Sequence, residues 1–100
     1  NIHSTDVAHF ILQFIERPRV AEVYNIGGGF DNTVSILEAF AKIEALSGKP
    51  MDFEYVDDAR IGDHIVYYSN LDKMKADYPD WDISVGLDAV FEDLYSSAIA

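Results

Sequence analysis

The sequence contains no cysteine, and only seven lysines and arginines stand against eighteen aspartates and glutamates, a formal net charge of −11. The absence of cysteine excludes disulfide bonds and thiolate metal sites, and it is typical of a reducing cytoplasm. The scarcity of basic residues argues against nucleic-acid and anionic-membrane partners, because both need a basic patch that neutralises phosphates. We therefore expect a cytoplasmic protein that binds neither a nucleic acid nor a membrane.

Apolar residues nonetheless make up 49% of the 100-residue chain, and this content favours a folded protein over a disordered one. The length is that of one domain, and no apolar run is long enough to cross a bilayer. The chain begins at Asn1 rather than at methionine, and a helix is predicted to start within a few residues. We therefore expect residues 1–100 to be the C-terminal part of a longer protein.

Four segments have the apolar periodicity of amphipathic helices, and three have the composition of short strands. The predicted helices are residues 4–16 with Ser4 as N-cap, 36–47 after the Ser35–Glu38 capping box, a helix capped by Ser69 that ends before Pro79, and a last helix from Ser84 onward. The predicted strands are residues 21–26, 51–55 and 65–68. Together they predict an α/β or α+β fold, in which a small mixed sheet is flanked by about four helices.

Three successive glycines, Gly27, Gly28 and Gly29, precede Phe30 between a predicted strand and a predicted helix. Phosphate-binding loops occupy such a place, but the spacing is not that of a dinucleotide-binding fingerprint and no lysine follows. Two interpretations stay open. The glycines provide a turn with positive φ, or they allow the backbone to approach a ligand closely.

A single arginine lies in the acidic loop formed by residues 57–64. The guanidinium of Arg60 suits bidentate capture of a phosphate, with Gly62 leaving room beside it and Asp63 holding the fork in place. His64 could donate a hydrogen bond to a phosphate or a hydroxyl. The alternative is that Arg60 forms only a surface ion pair with its acidic neighbours. We find no catalytic triad and no pair of metal-ligating histidines.

Several motifs, taken in their order along the chain, resemble the C-terminal portion of extended short-chain dehydrogenase/reductase enzymes that act on nucleotide sugars. The motifs are Tyr24-Asn25-Ile26-Gly27-Gly28-Gly29, Ser35-Ile36-Leu37-Glu38, Arg60-Ile61-Gly62-Asp63-His64 and Tyr78-Pro79-Asp80-Trp81. Within that family they look closest to the CDP-paratose (CDP-tyvelose) 2-epimerase branch. Sugar-nucleotide 4,6-dehydratases and UDP-sugar 4-epimerases are the next most similar branches.

The resemblance implies a two-domain enzyme, of which residues 1–100 form the nucleotide-sugar-binding lobe. NAD and the catalytic Tyr-x-x-x-Lys pair would belong to an upstream Rossmann domain, so this chain alone is expected to be inactive. The implied substrate-binding residues include the arginine of the acidic loop as the diphosphate contact, and they are Arg60, Gly62, Asp63, His64, Gly28, Gly29 and Phe30. The apolar face of helix 36–47 would serve either a domain interface or a homodimer.

A protein of another class remains an alternative. The chain could be a non-enzymatic acidic interaction module whose apolar helices dock on a partner, with the Arg60 loop serving only the structure. Upstream sequence separates the two interpretations, because a glycine-rich βαβ unit before Asn1 would indicate the enzyme.

Overall fold

The computed structural model covers all 100 residues and is all-helical, with no strand and no sheet. The mixed sheet expected from the sequence is therefore wrong. The elements are α1 (Ser4–Glu16), a short 3₁₀ helix (Phe30–Asn32), α2 (Ile36–Ser47), α3 (Asp72–Asp77) and α4 (Leu87–Ile99). The predicted helices are all present, although α3 and α4 begin two to three residues later than expected.

The three segments predicted as strands form no ladder, because they do not pair with one another. No backbone–backbone hydrogen bond involves residues 21–26, 51–55 or 65–68. An alternating or β-branched sequence favours an extended chain, but a sheet also needs a neighbouring strand to take up its N–H and C=O groups. The composition of these segments is strand-like, but the structure gives none of them a pairing partner.

Helix α2 has the ends that its sequence predicts. The Glu38 N–H donates to the Ser35 hydroxyl at 3.2 Å, and the Ser35 N–H donates to the Glu38 carboxylate at 2.8 Å. These bonds form the predicted capping box and hold the pKa of Glu38 below its ordinary value. Gly48 ends the helix with φ +69°, a left-handed conformation that glycine adopts readily.

The caps of α1 and α3 differ from the predicted ones by one or two residues. His3, not Ser4, caps α1, and its Nδ1 accepts from the Thr5 N–H at 3.1 Å. Ser69 does not cap α3: the N-cap is Leu71, which makes no side-chain cap bond, and the Asn70 side chain accepts from the Asp72 N–H at 2.9 Å. Ser69 is thereby left to bind a different part of the chain.

The core is a single aromatic-rich cluster where α1, α3 and the segment after α3 meet. Phe10 of α1 places its ring edge-on to three aromatic rings, with centroid distances of 5.7 Å to Tyr24, 5.3 Å to Tyr78 and 6.1 Å to Trp81. The Tyr78 hydroxyl donates to the Arg17 carbonyl at 2.7 Å, so this polar atom is satisfied within the core. The buried apolar side chains are Phe10, Leu71, Met74, Tyr78 and Trp81.

Asp6 joins the beginning of α1 to the segment before α4, and its side chain is fully buried. Its carboxylate accepts the Ser84 N–H at 3.0 Å, the Val85 N–H at 3.1 Å and the Ser84 hydroxyl. The Trp81 indole N–H donates to the Asp6 carbonyl at 3.0 Å. Burial alone would raise the pKa of Asp6, but the hydrogen bonds outweigh it and hold that pKa below its ordinary value of 3.8.

The remaining helices, α2 and α4, pack against each other beside this core, and Lys42 forms an ion pair with Asp88 at 2.5 Å. The Cα radius of gyration is 16.7 Å, whereas a compact domain of this length has about 13 Å. Much apolar surface therefore stays open to solvent. None of the helices combines the length and apolar character that crossing a membrane requires.

Candidate functional site

A cavity lies between the glycine loop and the residues that lead into α3. Its volume is about 520 Å³, within the range of small-molecule sites. Three of the residues expected to bind substrate, Gly28, Gly29 and Phe30, line it. The other lining residues are Asp31, Asn32, Tyr68, Ser69, Asn70, Leu71, Asp72, Lys75, Asp82 and Ile83.

The glycine loop is held in a defined conformation by two polar side chains. The Gly29 N–H donates to the Ser69 hydroxyl at 3.2 Å, and Gly29 has φ +72°, which favours glycine. The Asn32 amide donates to the Gly28 carbonyl at 2.8 Å, and its oxygen accepts the Leu87 N–H at 3.1 Å. Asn32 thus connects the loop to the first residue of α4.

The loop also packs against its neighbours where a side chain would not fit. A Cβ on Gly27 would lie 2.2 Å from the Ser69 oxygen and 2.9 Å from the Ser69 Cβ. A Cβ on Gly28 would lie 1.7 Å from the Asn1 carbonyl oxygen. Gly29 therefore has the positive φ of the first interpretation. Gly27 and Gly28 lie close to protein atoms, so the close approach to a ligand stays a prediction.

One wall of the cavity is aromatic. The rings of Phe30 and Tyr68 meet edge-on, with centroids 5.2 Å apart, and both side chains are more than half exposed to solvent. Exposed aromatic rings beside a polar cavity are suited to contact the flat face of a base or the apolar face of a sugar ring. This wall is available to a ligand, because neither ring is buried in the core.

The cavity is acidic rather than basic. Three carboxylates, Asp31, Asp72 and Asp82, line it with a single cation, Lys75, whose Nζ lies 3.4 Å from the Asp82 carboxylate. Carboxylates accept hydrogen bonds from hydroxyl groups, but they repel phosphate. The cavity therefore suits an uncharged, hydroxyl-rich group, and the phosphate part of a ligand would have to be bound elsewhere.

The other four expected site residues lie outside the cavity, in the exposed loop 57–64. Arg60 donates to the Asp63 carboxylate at 2.9 Å, and 86% of its side chain is exposed. Gly62 has φ +81° in a turn closed by the Asp63 N–H and the Arg60 carbonyl at 3.2 Å, so the turn itself requires this glycine. The His64 ring lies 6.1 Å from that of Tyr67.

The guanidinium of Arg60 is largely free to bind an anion. Its one ion pair is solvent-exposed, and such pairs contribute little free energy, so a phosphate could displace the carboxylate of Asp63. Neither Asp57 nor Asp58 contacts it by a hydrogen bond or an ion pair. The structure thus gives two separate features, an acidic cavity with an aromatic wall and an exposed arginine loop, with Arg60 absent from the cavity lining.

Sequence reasoning missed the residues that build the cavity from the α3 side. The pattern indicates a strand end at Tyr68 and a helix cap at Ser69, whereas both of these residues, together with Asn70, line the cavity. The sequence feature that could have pointed to these cavity residues is the run of three polar or amphipathic side chains, Tyr68, Ser69 and Asn70, shortly before a short helix. Asn32 was also missed, and an asparagine just after a glycine loop is a residue type that often bonds the local backbone.

A partly buried tyrosine next to the core is structural rather than catalytic. The Tyr24 hydroxyl donates to the Asp77 carboxylate at 2.7 Å. Burial and this hydrogen bond raise the pKa of Tyr24 to about 12, so the phenol stays protonated at neutral pH. It is therefore a hydrogen-bond donor and is unsuited to act as a base.

Comparison of the chain with protein-family models, with curated proteins and with solved structures finds no match. The resemblance to nucleotide-sugar enzymes thus rests on the motifs themselves, and the site residues are interpreted from their geometry and chemistry.

Proposed function

We propose that this chain is the nucleotide-sugar-binding part of an NAD-dependent epimerase of the CDP-paratose (CDP-tyvelose) 2-epimerase type. The observation that carries the proposal is the cavity, where the glycine loop, an aromatic wall and three carboxylates come together. The carboxylates accept hydrogen bonds from sugar hydroxyls, and the aromatic wall packs against a ring. A 4,6-dehydratase or UDP-sugar 4-epimerase would use the same features, so these remain alternatives.

In this proposal the two features divide the ligand between them. The cavity takes the uncharged sugar, whereas the Arg60 guanidinium forms a charge-assisted bidentate pair with the diphosphate. Gly62 gives the turn its shape, and Asp63 holds the Arg60 guanidinium in place while no ligand is bound. His64 supplies a further hydrogen-bond donor nearby. NAD and the catalytic Tyr-x-x-x-Lys pair would lie outside these residues, and this chain contributes binding energy that orients the sugar.

The direct test is isothermal titration of the chain with CDP-glucose, UDP-glucose, CDP, glucose and NAD. We expect both nucleotide sugars to bind more tightly than CDP or glucose alone, since only they engage both features, and NAD not to bind. Equal binding of CDP and CDP-glucose would contradict a sugar role for the cavity. Failure of every nucleotide to bind would contradict the proposed function.

Replacing Tyr68 by alanine should weaken the binding of CDP-glucose by about 0.5 to 1.5 kcal/mol, the order of magnitude for a packed aromatic contact. Tyr68→Phe should bind normally, because the ring is kept. Tyr67→Ala is the matched control, since this adjacent tyrosine is exposed but does not line the cavity. Equal losses in Tyr67→Ala and Tyr68→Ala would indicate that the cavity is not the binding site.

Replacing Arg60 by alanine should weaken CDP-glucose binding by about 1.5 to 3 kcal/mol, as expected for a charged hydrogen bond. Arg60→Lys should recover only part of the loss, because an ammonium group cannot form the bidentate pair. Arg17→Ala removes the same charge from another exposed ion pair and serves as the control. Unchanged affinity in Arg60→Ala would remove the phosphate role from this residue.

A second candidate, an interaction module, is favoured by the exposed apolar surface. Large apolar side chains such as Ile61, Ile65 and Val20 are more than 90% exposed, which is unusual in a protein that acts alone. Under this interpretation the chain binds a partner polypeptide and no nucleotide. Titration with the nucleotide sugars separates the two candidates.

A further inference from the structure

The segment from Asp52 to Ala59 makes no hydrogen bond with any part of the chain. None of its N–H or C=O groups takes part in a backbone pair, and none of its side chains bonds to another residue. The segment is also free of turns and bends, and every residue in it is exposed. An unbent stretch with a full set of free donors and acceptors is the template to which another strand adds.

The sequence of this segment has the alternation of a strand, and one of its faces is already anchored. Phe53 packs on Phe40 of α2, with ring centroids 5.0 Å apart, and the Met51 N–H donates to the Glu44 carboxylate at 2.7 Å. Tyr55 occupies the next apolar position of the alternation after Phe53, and it is 80% exposed to solvent. The segment thus lies beside a helix as a strand does in an α/β layer, with its edges unoccupied.

The intervening positions carry unpaired negative charge. Asp52 and Glu54 alternate with the apolar residues, Asp57 and Asp58 follow, and none of these four carboxylates forms an ion pair in the chain. Asp52, Glu54 and Asp58 share one face by this alternation. A strand that pairs here would therefore place lysine or arginine opposite them, where opposite charges stabilise a cross-strand pair.

The same charges argue against pairing with a second copy of this chain. Any antiparallel register that keeps the two apolar faces together puts carboxylates of one copy opposite carboxylates of the other. Like charges directly opposite each other destabilise a sheet. The partner strand must therefore differ in sequence from the segment itself.

We infer that residues Met51–Asp58 form a strand-pairing surface for a polypeptide strand that alternates apolar residues with lysine or arginine. The backbone of the segment supplies the hydrogen bonds, Phe53 and Tyr55 supply the apolar contacts, and Asp52 and Glu54 select basic residues. The inference does not depend on the proposed nucleotide-sugar site, which uses other residues.

The test uses a blocked heptapeptide that alternates lysine with valine, titrated into the whole chain at low salt. We expect it to bind at least about tenfold more tightly than the matched peptide with glutamate in place of lysine, given several cross-strand charge pairs. Binding should also slow amide hydrogen exchange at residues 52–56. A peptide N-methylated at two successive central residues, which blocks both of its edges, should bind at least about tenfold more weakly.

Two chain variants complete the design. Glu54→Lys should weaken binding of the lysine peptide severalfold, whereas Glu16→Lys, the same charge change at an exposed position on α1, should leave it unchanged. Equal binding of the N-methylated peptide would overturn the inference, because only charge attraction would then be acting. Equal affinity for the lysine and glutamate peptides, equal losses in the two variants, or no binding at millimolar concentration would also overturn it.

Discussion

Asp6→Ala is expected to lower the free energy of unfolding by about 3 to 5 kcal/mol, because it leaves several buried donors without a partner. The N–H groups of Ser84 and Val85 lose their acceptor, at about 1 to 3 kcal/mol each, and the bond from the Ser84 hydroxyl is removed as well. Fluorescence of Trp81, the only tryptophan, reports the change directly, because its indole donates to the Asp6 carbonyl.

The control is Asp72→Ala, which removes an aspartate from the first turn of α3, where the side chain is exposed. Its expected cost is at most about 1 kcal/mol, the worth of a charge at a helix N-terminus.

The pH dependence of stability is a second test of the role of Asp6. Because the folded pKa of Asp6 is lowered, its contribution is present above pH 3.8 and is lost as pH falls through the folded value. A Trp81 unfolding curve that Asp6→Ala does not move would contradict this role.

Gly27→Ala is expected to cost up to about 3 kcal/mol of stability and to abolish measurable CDP-glucose binding. The added methyl would lie 2.9 Å from the Ser69 Cβ, an atom fixed to the backbone, so the glycine loop must move. Moving the loop breaks the bond between the Gly29 N–H and the Ser69 hydroxyl, which shapes the cavity. Chemical denaturation and ligand titration measure the two effects.

Gly86→Ala provides the matched control, since a Cβ there meets no atom within 4 Å and its φ is −70°. Because Gly86 is the N-cap of α4, where alanine is less favourable than glycine, this variant should lose about 1 kcal/mol, less than Gly27→Ala. The double variant Gly27→Ala with Ser69→Gly removes the clashing atoms and should regain part of the lost stability. If Gly27→Ala and Gly86→Ala were equally stable, the close packing of the glycine loop would not limit the fold.

The helices were predictable because their signals are local. The Ser35–Glu38 capping box and Gly48 fix both ends of α2, and each works through bonds to backbone groups a few residues away. The positive φ of Gly29 was likewise expected from the glycine loop. The close packing of Gly27 is against Ser69, whereas the other interpretation expected a ligand there. The sheet was predicted wrongly, because strand pairing depends on partners at a distance that periodicity does not identify.

Prediction of the candidate site likewise succeeded for local features and failed for contacts between distant parts of the chain. Gly28, Gly29 and Phe30 were identified from a short motif, but their cavity is completed by Tyr68, Ser69 and other residues near α3, far along the chain. A serine before an apolar repeat favours a helix cap, and this local rule fails at Ser69. Its hydroxyl accepts from Gly29 instead, since the Asn70 side chain already accepts from the first turn of α3.

By itself, then, the sequence determined where the chain is helical, where it turns and how acidic its surface is, because those properties follow from neighbouring residues and composition. Only the tertiary structure decided that Asp6 binds Ser84 and Val85, that Ser69 reaches the glycine loop, and that Arg60 stays outside the cavity. Such contacts join residues far apart in the chain. They form when burial of the aromatic-rich core brings distant segments together, and no local pattern encodes that arrangement.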